Sequence, residues 1–315
     1  MEGNIDKNER ASSGRSRRLI LIFVLLATNL ITIGLLLRRS GGPANRTDDS
    51  LLSPTRVFFD PKDLIINIQP LRNDLNKIGE NKNLSIYFEF LNTGANIAVN
   101  KDAAFWPASL MKIPIAMAVM KKVERGQWQL ENELVLYEKD KDSAFGDLYK
   151  EPADKHFTIR YLLKKMLVDS DNTARTILLR NLESKDIDEV LLHLGIDDIF
   201  NTDNQVTAKK YSIFWRSLFN SSFLQPENSE VLIRLMSESS AKQYLRQGLP
   251  DEILFSHKIG VVYKDNIYSD SGIVYVPGRP YILTVMMQGI PEPEAEKEFK
   301  EISEKAYRYV SSYKQ

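Results

Sequence analysis

Ser109-Leu110-Met111-Lys112-Ile113-Pro114-Ile115-Ala116-Met117-Ala118-Val119-Met120-Lys121-Lys122-Val123 is the stretch on which the reading of this chain turns. Between Lys112 and Lys121 every residue is apolar, which predicts a helix covered on most of its faces. Pro114 does not forbid that helix, because first-turn N–H groups have no intrahelical partner to lose. Ser109 stands at the predicted start and Lys112 three residues later, and positions i and i+3 share a helix face. A hydroxyl and an amine therefore meet where backbone N–H groups are also free. A serine hydroxyl is a weak nucleophile and needs a base. Lysine can be that base only if burial or a neighbouring cation lowers its pKa. Met111, Ile113 and Ile115 would supply the burial. Taken alone the pattern is weak, since an ordinary helix start looks the same.

Working outward, Leu64, Ile68, Leu71, Leu75 and Ile78 recur at helical spacing and predict a helix over Leu64–Lys77. Leu84–Phe90 alternates like a strand, and Ala95–Val99 reads as its hairpin partner. Residues 124–240 read as mostly helical with polar breaks. Glu252–Ile259, Asn266–Val276 and Tyr281–Gly289 then read as three consecutive strands, with Pro277-Gly278 as the turn between the last two. Pro291–Tyr313 predicts a closing helix, acidic toward its start and more basic later. Helix, two strands, helical block, three strands, helix is the order of a mixed α/β (α+β) fold. It fits a five-stranded sheet with both terminal helices on it and the helical block inserted.

Two more short motifs follow the first. Ser170-Asp171-Asn172 precedes a predicted helix from Thr173, and all three residue types also serve as ordinary N-caps. Lys258-Ile259-Gly260 falls in a predicted strand, where the plain reading is a lysine beside a glycine bulge. In this order the three motifs resemble the S-x-x-K, S-D-N and K-T-G signature of class A β-lactamases and penicillin-binding proteins. The resemblance spans roughly residues 61–315. It extends to Ser170-Asp171-Asn172-Thr173-Ala174 running into an apolar helix. It also extends to Ser269-Asp270-Ser271-Gly272-Ile273-Val274-Tyr275, followed by Arg279-Pro280-Tyr281.

That resemblance implies a β-lactamase/transpeptidase-like fold, with an antiparallel five-stranded sheet flanked by helices, an all-α lobe, and the active site between them. It implies Ser109 as the nucleophile on an amide or lactam carbonyl, Lys112 as its base, and Ser170 as a proton relay to the leaving nitrogen. It assigns Asn172 to the substrate's amide side chain, Lys258 to the substrate carboxylate, and Gly260 to close approach of substrate backbone. The N–H groups of Ser109 and Val261 would form the oxyanion hole. Asp171 would be structural. The implied partners are β-lactams or D-Ala-D-Ala-type cell-wall peptides, and no metal or other cofactor is required. A second reading of the same cleft is a sensor of cell-wall fragments that binds, or is acylated once, without turnover.

Two departures from the family pattern matter. Ile259 stands where the family has threonine or serine. A missing hydrogen bond to a charged group is worth about 1.5–3 kcal/mol, so weaker carboxylate recognition is expected. The Ω-loop glutamate that activates water for deacylation also has no counterpart. No glutamate occurs from Val190 to Pro226, and only a short segment separates Leu194-Gly195 from Val206-Thr207-Ala208. Its aspartates, Asp197, Asp198 and Asp203, read chiefly as turn residues and caps.

Composition narrows the rest. The 315 residues carry 42 basic and 42 acidic side chains, which gives no reason to expect a nucleic-acid partner. There is no cysteine, so disulfides and thiol nucleophiles are excluded, and three histidines (His156, His193, His257) argue against a zinc hydrolase. Leu19–Leu37 is an uncharged apolar run long enough to cross a bilayer. Arg15, Arg17 and Arg18 precede it, and Leu37-Arg38-Arg39-Ser40-Gly41-Gly42 at its end is a poor cleavage site. The expected organisation is a cytoplasmic tail (1–18), a signal anchor (19–37), a linker (38–60) and an extracytoplasmic catalytic domain (61–315).

Overall fold

The structure, a computed structural model, describes residues 50–53, 63–80 and 83–314. The tail, the anchor segment and most of the linker lie outside the described residues. Among the described residues, no helix is long and apolar enough to cross a membrane.

Five strands form one antiparallel sheet: β1 (Leu84–Phe90), β2 (Ala95–Val99), β7 (Phe255–Val262), β8 (Ile267–Val274) and β9 (Tyr281–Gln288). Their order across the sheet is β2-β1-β9-β8-β7, so the amino-terminal hairpin joins the carboxy-terminal meander through the β1–β9 pair. Strands covered on both faces are apolar at nearly every position, as β9 is. Alternation still sorts its side chains. Tyr281, Leu283, Val285 and Met287 join the core shared with α1 (Gln69–Gly79) and the closing helix α8 (Glu292–Ser312). Ile282 and Met286 join the core of the helical lobe. Each fully buried side chain of this size contributes about 1.5–3 kcal/mol of transfer free energy.

The helical lobe comprises α2 (Lys112–Glu124), α3 (Ile159–Val168), α4 (Asn172–Arg180), α5 (Ser184–His193), α6 (Ala208–Asn220) and α7 (Pro226–Ser237). Its core is continuous with one face of the sheet, and α2 lies at its centre, buried from Lys112 to Met120. The expected fold class is therefore the observed one.

Several boundaries differ from expectation, each for a local reason. The first helix begins at Gln69 rather than Leu64, because Pro70 suits a first turn and the residues before it do not continue the helix. The stretch from 125 to 158 contains no α-helix, only short 3₁₀ turns at Glu138–Asp140 and Leu148–Lys150. It carries the short strands β4 (Glu133–Val135) and β5 (His156–Thr158), paired with each other, and tight turns at Gly126 and Gly146, both at positive φ. β7 starts at Phe255, three residues later than the sequence suggested. Leu51 and Leu52, within the stretch read as linker, are buried in the lobe core. Ser53 N there donates to Phe219 O and Tyr275 Oη donates to Leu51 O.

Candidate active site

Ser109 lies in a 3₁₀ turn (Ala108–Met111) that leads directly into α2. Ala108, just before it, has φ 47, a left-handed conformation that costs a non-glycine residue of order 1 kcal/mol and tends to occur where a site demands it. The turn is held from two sides. Tyr211 Oη on α6 donates to Leu110 O at 2.8 Å. On the other side, a Cβ at Gly260 of β7 would lie only 2.5 Å from Pro107 O and 3.1 Å from Leu110 Cγ. Glycine at 260 thus lets the strand sit against the Ser109 turn. The sequence reading reserved that closeness for the substrate; here the protein backbone also uses it.

Lys112, 1 % exposed, gathers the first two motifs. Its Nζ is 3.1 Å from Ser109 Oγ, 3.1 Å from Ser170 Oγ and 2.7 Å from Asn172 Oδ1, and it also contacts the Ser170 carbonyl oxygen. Two of those four oxygens, the carbonyl and the amide, can only accept. A neutral amine has two N–H bonds for them and a lone pair left for a hydroxyl proton. Burial chiefly, then the nearby cations Lys258 and Arg175, lower the Lys112 pKa to about 6. Lys258, equally buried, is lowered by burial to about 8, with Asp270 and Asp169 opposing. Near pH 7 one lysine is mostly neutral and the other mostly charged, the separation that distinct base and anchor roles need.

Ser170 reaches Lys112 through a left-handed backbone turn, φ 57. Asp171 fixes that turn. Fully buried, it caps α4 by accepting from Ala174 N at 2.8 Å, and its other oxygen accepts from Asp147 N and Leu148 N at 2.8 and 2.9 Å. Asp171 therefore does serve as an N-cap, and it also ties the 145–148 loop over the site. That loop needs Gly146, where a Cβ would lie 2.0 Å from Asp171 Oδ2. Phe145 in the same loop accepts from Asn172 N at 3.0 Å and stacks on Tyr263 beyond the end of β7, with ring centroids 6.3 Å apart.

Strand alternation decides the third motif. Lys258 pairs with Ser271 and Gly260 with Ser269, on the face toward the helical lobe. His257, Ile259 and Val261 point to the other face. There Ile259 and Val261 are buried with Phe255 and Tyr268. The residue in place of the family's threonine is thus an apolar core side chain. His257 is buried too, stacked on Phe255, with Nδ1 2.9 Å from Asp270 Oδ1. Asp270 Oδ2 accepts from Leu245 N. This His–Asp pair braces β7 from behind and stands on the wrong face to act on a substrate at Ser109. β7 is the outermost strand, so one of its edges has no neighbouring strand, leaving backbone N–H groups for a ligand.

The structure therefore brings Ser109, Lys112, Ser170 and Asn172 into one hydrogen-bonded group. Lys258 stands close enough to repel the Lys112 proton, and Gly260 and Val261 follow along the strand edge. The short segment after α5 is pinned beside the nucleophile turn by β3 (Ala104–Phe105) pairing with β6 (Val206–Thr207). Its acids face solvent: Asp197, Asp198 and Asp203 are exposed, and Asp198 pairs with Lys210 at 2.9 Å. Tyr211, Arg175 and the His257–Asp270 pair escaped the sequence reading. Nothing in composition or spacing distinguishes Tyr211 from its aromatic core neighbours on α6.

A family model described as the beta-lactamase enzyme family matches residues 70–310. The chain belongs to that family. Its fold agrees: the structure of PBP-A superimposes with TM-score 0.72 at 21 % identity, covering 78 % of this chain and 97 % of that one. A mutant of PBP-A, seen as an acyl-enzyme with penicillin G, gives 0.70 at 21 %, covering 81 % and 100 %. A beta-lactamase from Sphaerobacter thermophilus gives 0.70 at 19 %, covering 79 % and 99 %. At these identities the likeness establishes the fold. No curated protein sequence matches the chain. As a member of this family the chain is a serine hydrolase.

Proposed function

We propose that this beta-lactamase-family protein is a membrane-anchored, extracytoplasmic enzyme acylated at Ser109 by β-lactams or D-Ala-D-Ala-type peptides, with slow deacylation. The observation that carries the reading is the position of one buried, deprotonatable amine between two hydroxyls, Lys112 Nζ at 3.1 Å from both Ser109 Oγ and Ser170 Oγ. Ser109 Oγ attacks the carbonyl carbon and gives its proton to Lys112 Nζ. As the C–N bond breaks, Ser170 Oγ passes a proton to the leaving nitrogen and regains one from Lys112. The N–H groups of Ser109 and Val261 hold the oxyanion, Lys258 holds the substrate carboxylate, and Asn172 holds the amide of the acyl side chain. A PBP-A mutant captured with penicillin G supports the substrate class.

Slow deacylation rests on the missing Ω-loop glutamate and on the exposed placement of Asp197, Asp198 and Asp203 in the short segment that stands in its place. The same property favours the alternative that the domain is acylated once and acts as a sensor. Incubating the full-length protein with benzylpenicillin should add one intact penicillin, and peptide mapping should locate it on Ser109. Label on another serine, or undiminished label in Ser109→Ala, overturns the assignment.

The anchor and its orientation rest on the apolar run 19–37 and the arginines before it. A reporter that works only after export, fused after Gln315, is expected to be active. Activity from a strictly cytoplasmic reporter at the same position would reverse the topology and remove the cell-wall substrate class.

A further inference from the structure

Arg175 is a charged side chain that the chemistry above leaves unused. It lies on α4, three residues after Asn172, so the two share a helix face one turn apart. Asn172 is itself 2.7 Å from Lys112 Nζ. Arg175 is half-buried, and its Nε is buried without a hydrogen-bond partner. Among the described residues its guanidinium makes no hydrogen bond and no ion pair. A guanidinium N–H taken out of water normally finds an acceptor, because its desolvation is otherwise uncompensated. The two acids whose charge reaches this site are not paired with it: Asp171 is committed to three backbone N–H groups, and Asp142 Oδ1 accepts from Ala144 N.

The surroundings are cationic as well. Arg175 stands with Lys112 and Lys258 near the nucleophile, close enough to help push the Lys112 proton off. With Lys112 mostly neutral near pH 7, two cations remain in the cleft, and one substrate carboxylate at Lys258 leaves the charge of Arg175 unmatched. Lys258 lies on the sheet wall of the cleft, Arg175 on the helical wall with Asn172. A ligand anion at Arg175 therefore belongs to the acyl side of the substrate, opposite the leaving-group side.

We propose that Arg175 is a specificity-determining residue whose planar guanidinium receives a carboxylate carried on the acyl side chain of the substrate. The preferred substrates are then β-lactams or cell-wall-type peptides with two carboxylates, one on each side of the bond that opens. This deepens the proposed function and rests on it, since it places the acyl side chain at Asn172.

A matched pair of probes tests the inference: benzylpenicillin, and α-carboxybenzylpenicillin, which differs only by a carboxylate on the acyl side chain. Second-order acylation constants are measured for both with the full-length wild-type protein, Arg175→Gln and Arg175→Lys. The wild type should favour the α-carboxy probe. In Arg175→Gln the ratio of the two constants should fall by about tenfold or more, the size of a lost charge-assisted hydrogen bond. Arg175→Lys, which keeps the charge and loses the fork, should retain part of the preference. A purely structural role would slow both probes alike and leave the ratio unchanged. Normal acylation with the same ratio in wild type and Arg175→Gln overturns this inference alone. Failure of both penicillins to acylate the wild type overturns the proposed function, and this inference with it.

Discussion

Mixed with excess penicillin, the protein is expected to open one equivalent of lactam in a rapid burst and then turn over slowly. The proposed acylation has its parts in place, with Ser109 and Ser170 each within hydrogen-bond reach of Lys112. Hydrolysis of the resulting ester needs a water held against the acyl carbon and a base to take its proton. General-base catalysis contributes about 10²–10⁴-fold. A base missing from one step of two makes that step limiting, and a pre-steady-state burst is its kinetic sign. The short segment from Gly195 to Gln205 is braced for another purpose. Asn201 Oδ1 accepts from Asp203 N and Gln205 N, and Ile196 and Ile199 are buried in the lobe core. The segment closes the lobe with its carboxylates turned outward. Stopped-flow absorbance on the lactam, with the adduct followed by intact mass, checks this directly. Steady hydrolysis without a burst would contradict it and would make Asp197, Asp198 and Asp203 the first residues to mutate.

The second expected result is a bell-shaped dependence of acylation on pH, with limbs at about 6 and about 8. The rising limb is Lys112. As a base it acts only when neutral, and its pKa is lowered to about 6, so acylation should increase as pH rises through that value. The falling limb is Lys258. It attracts the substrate carboxylate only when protonated, and its pKa is lowered to about 8, so acylation should fall as pH rises beyond that value. Arg175→Gln removes one cation beside Lys112 and should move the rising limb upward in pH. Lys112→Gln should abolish the rising limb and cut acylation by about 10²–10⁴-fold. The same shift has a stability sign. A lysine whose pKa is lowered in the folded state binds fewer protons than in the unfolded chain. Stability should therefore increase with pH between about 6 and the ordinary lysine range. Acylation that keeps rising to pH 10, or is flat from 5 to 9, would contradict the roles given to the two lysines.

Sequence alone determined the fold class and pointed to the residues proposed for the chemistry, because both are written in local patterns. Alternation marked β1, a hairpin partner and three consecutive strand-like segments gave the other four strands, and apolar density marked α2. The i, i+3 spacing of Ser109 and Lys112 carries its own geometry on a helix. Asp171 was legible as a cap because capping depends on a residue and its next three neighbours. The boundaries that shifted, at Gln69 and Phe255, lie where a pattern fades gradually while hydrogen bonding stops at one residue.

Tertiary structure alone decided what depends on distant segments meeting. That Lys112 touches Ser170 and Asn172 joins residues about sixty positions apart, and its lowered pKa follows from burial that no local window shows. Which face of β7 carries Lys258, and which carries Ile259 and His257, follows from the sheet's place between two cores. Gly260 meets Pro107, and Tyr211 meets Leu110, only once strand and helix converge on the nucleophile turn. Arg175 reads like any helix arginine until the fold leaves its Nε buried without a partner. A charge's partners are settled by packing, and packing is the part of this protein that its sequence states least directly.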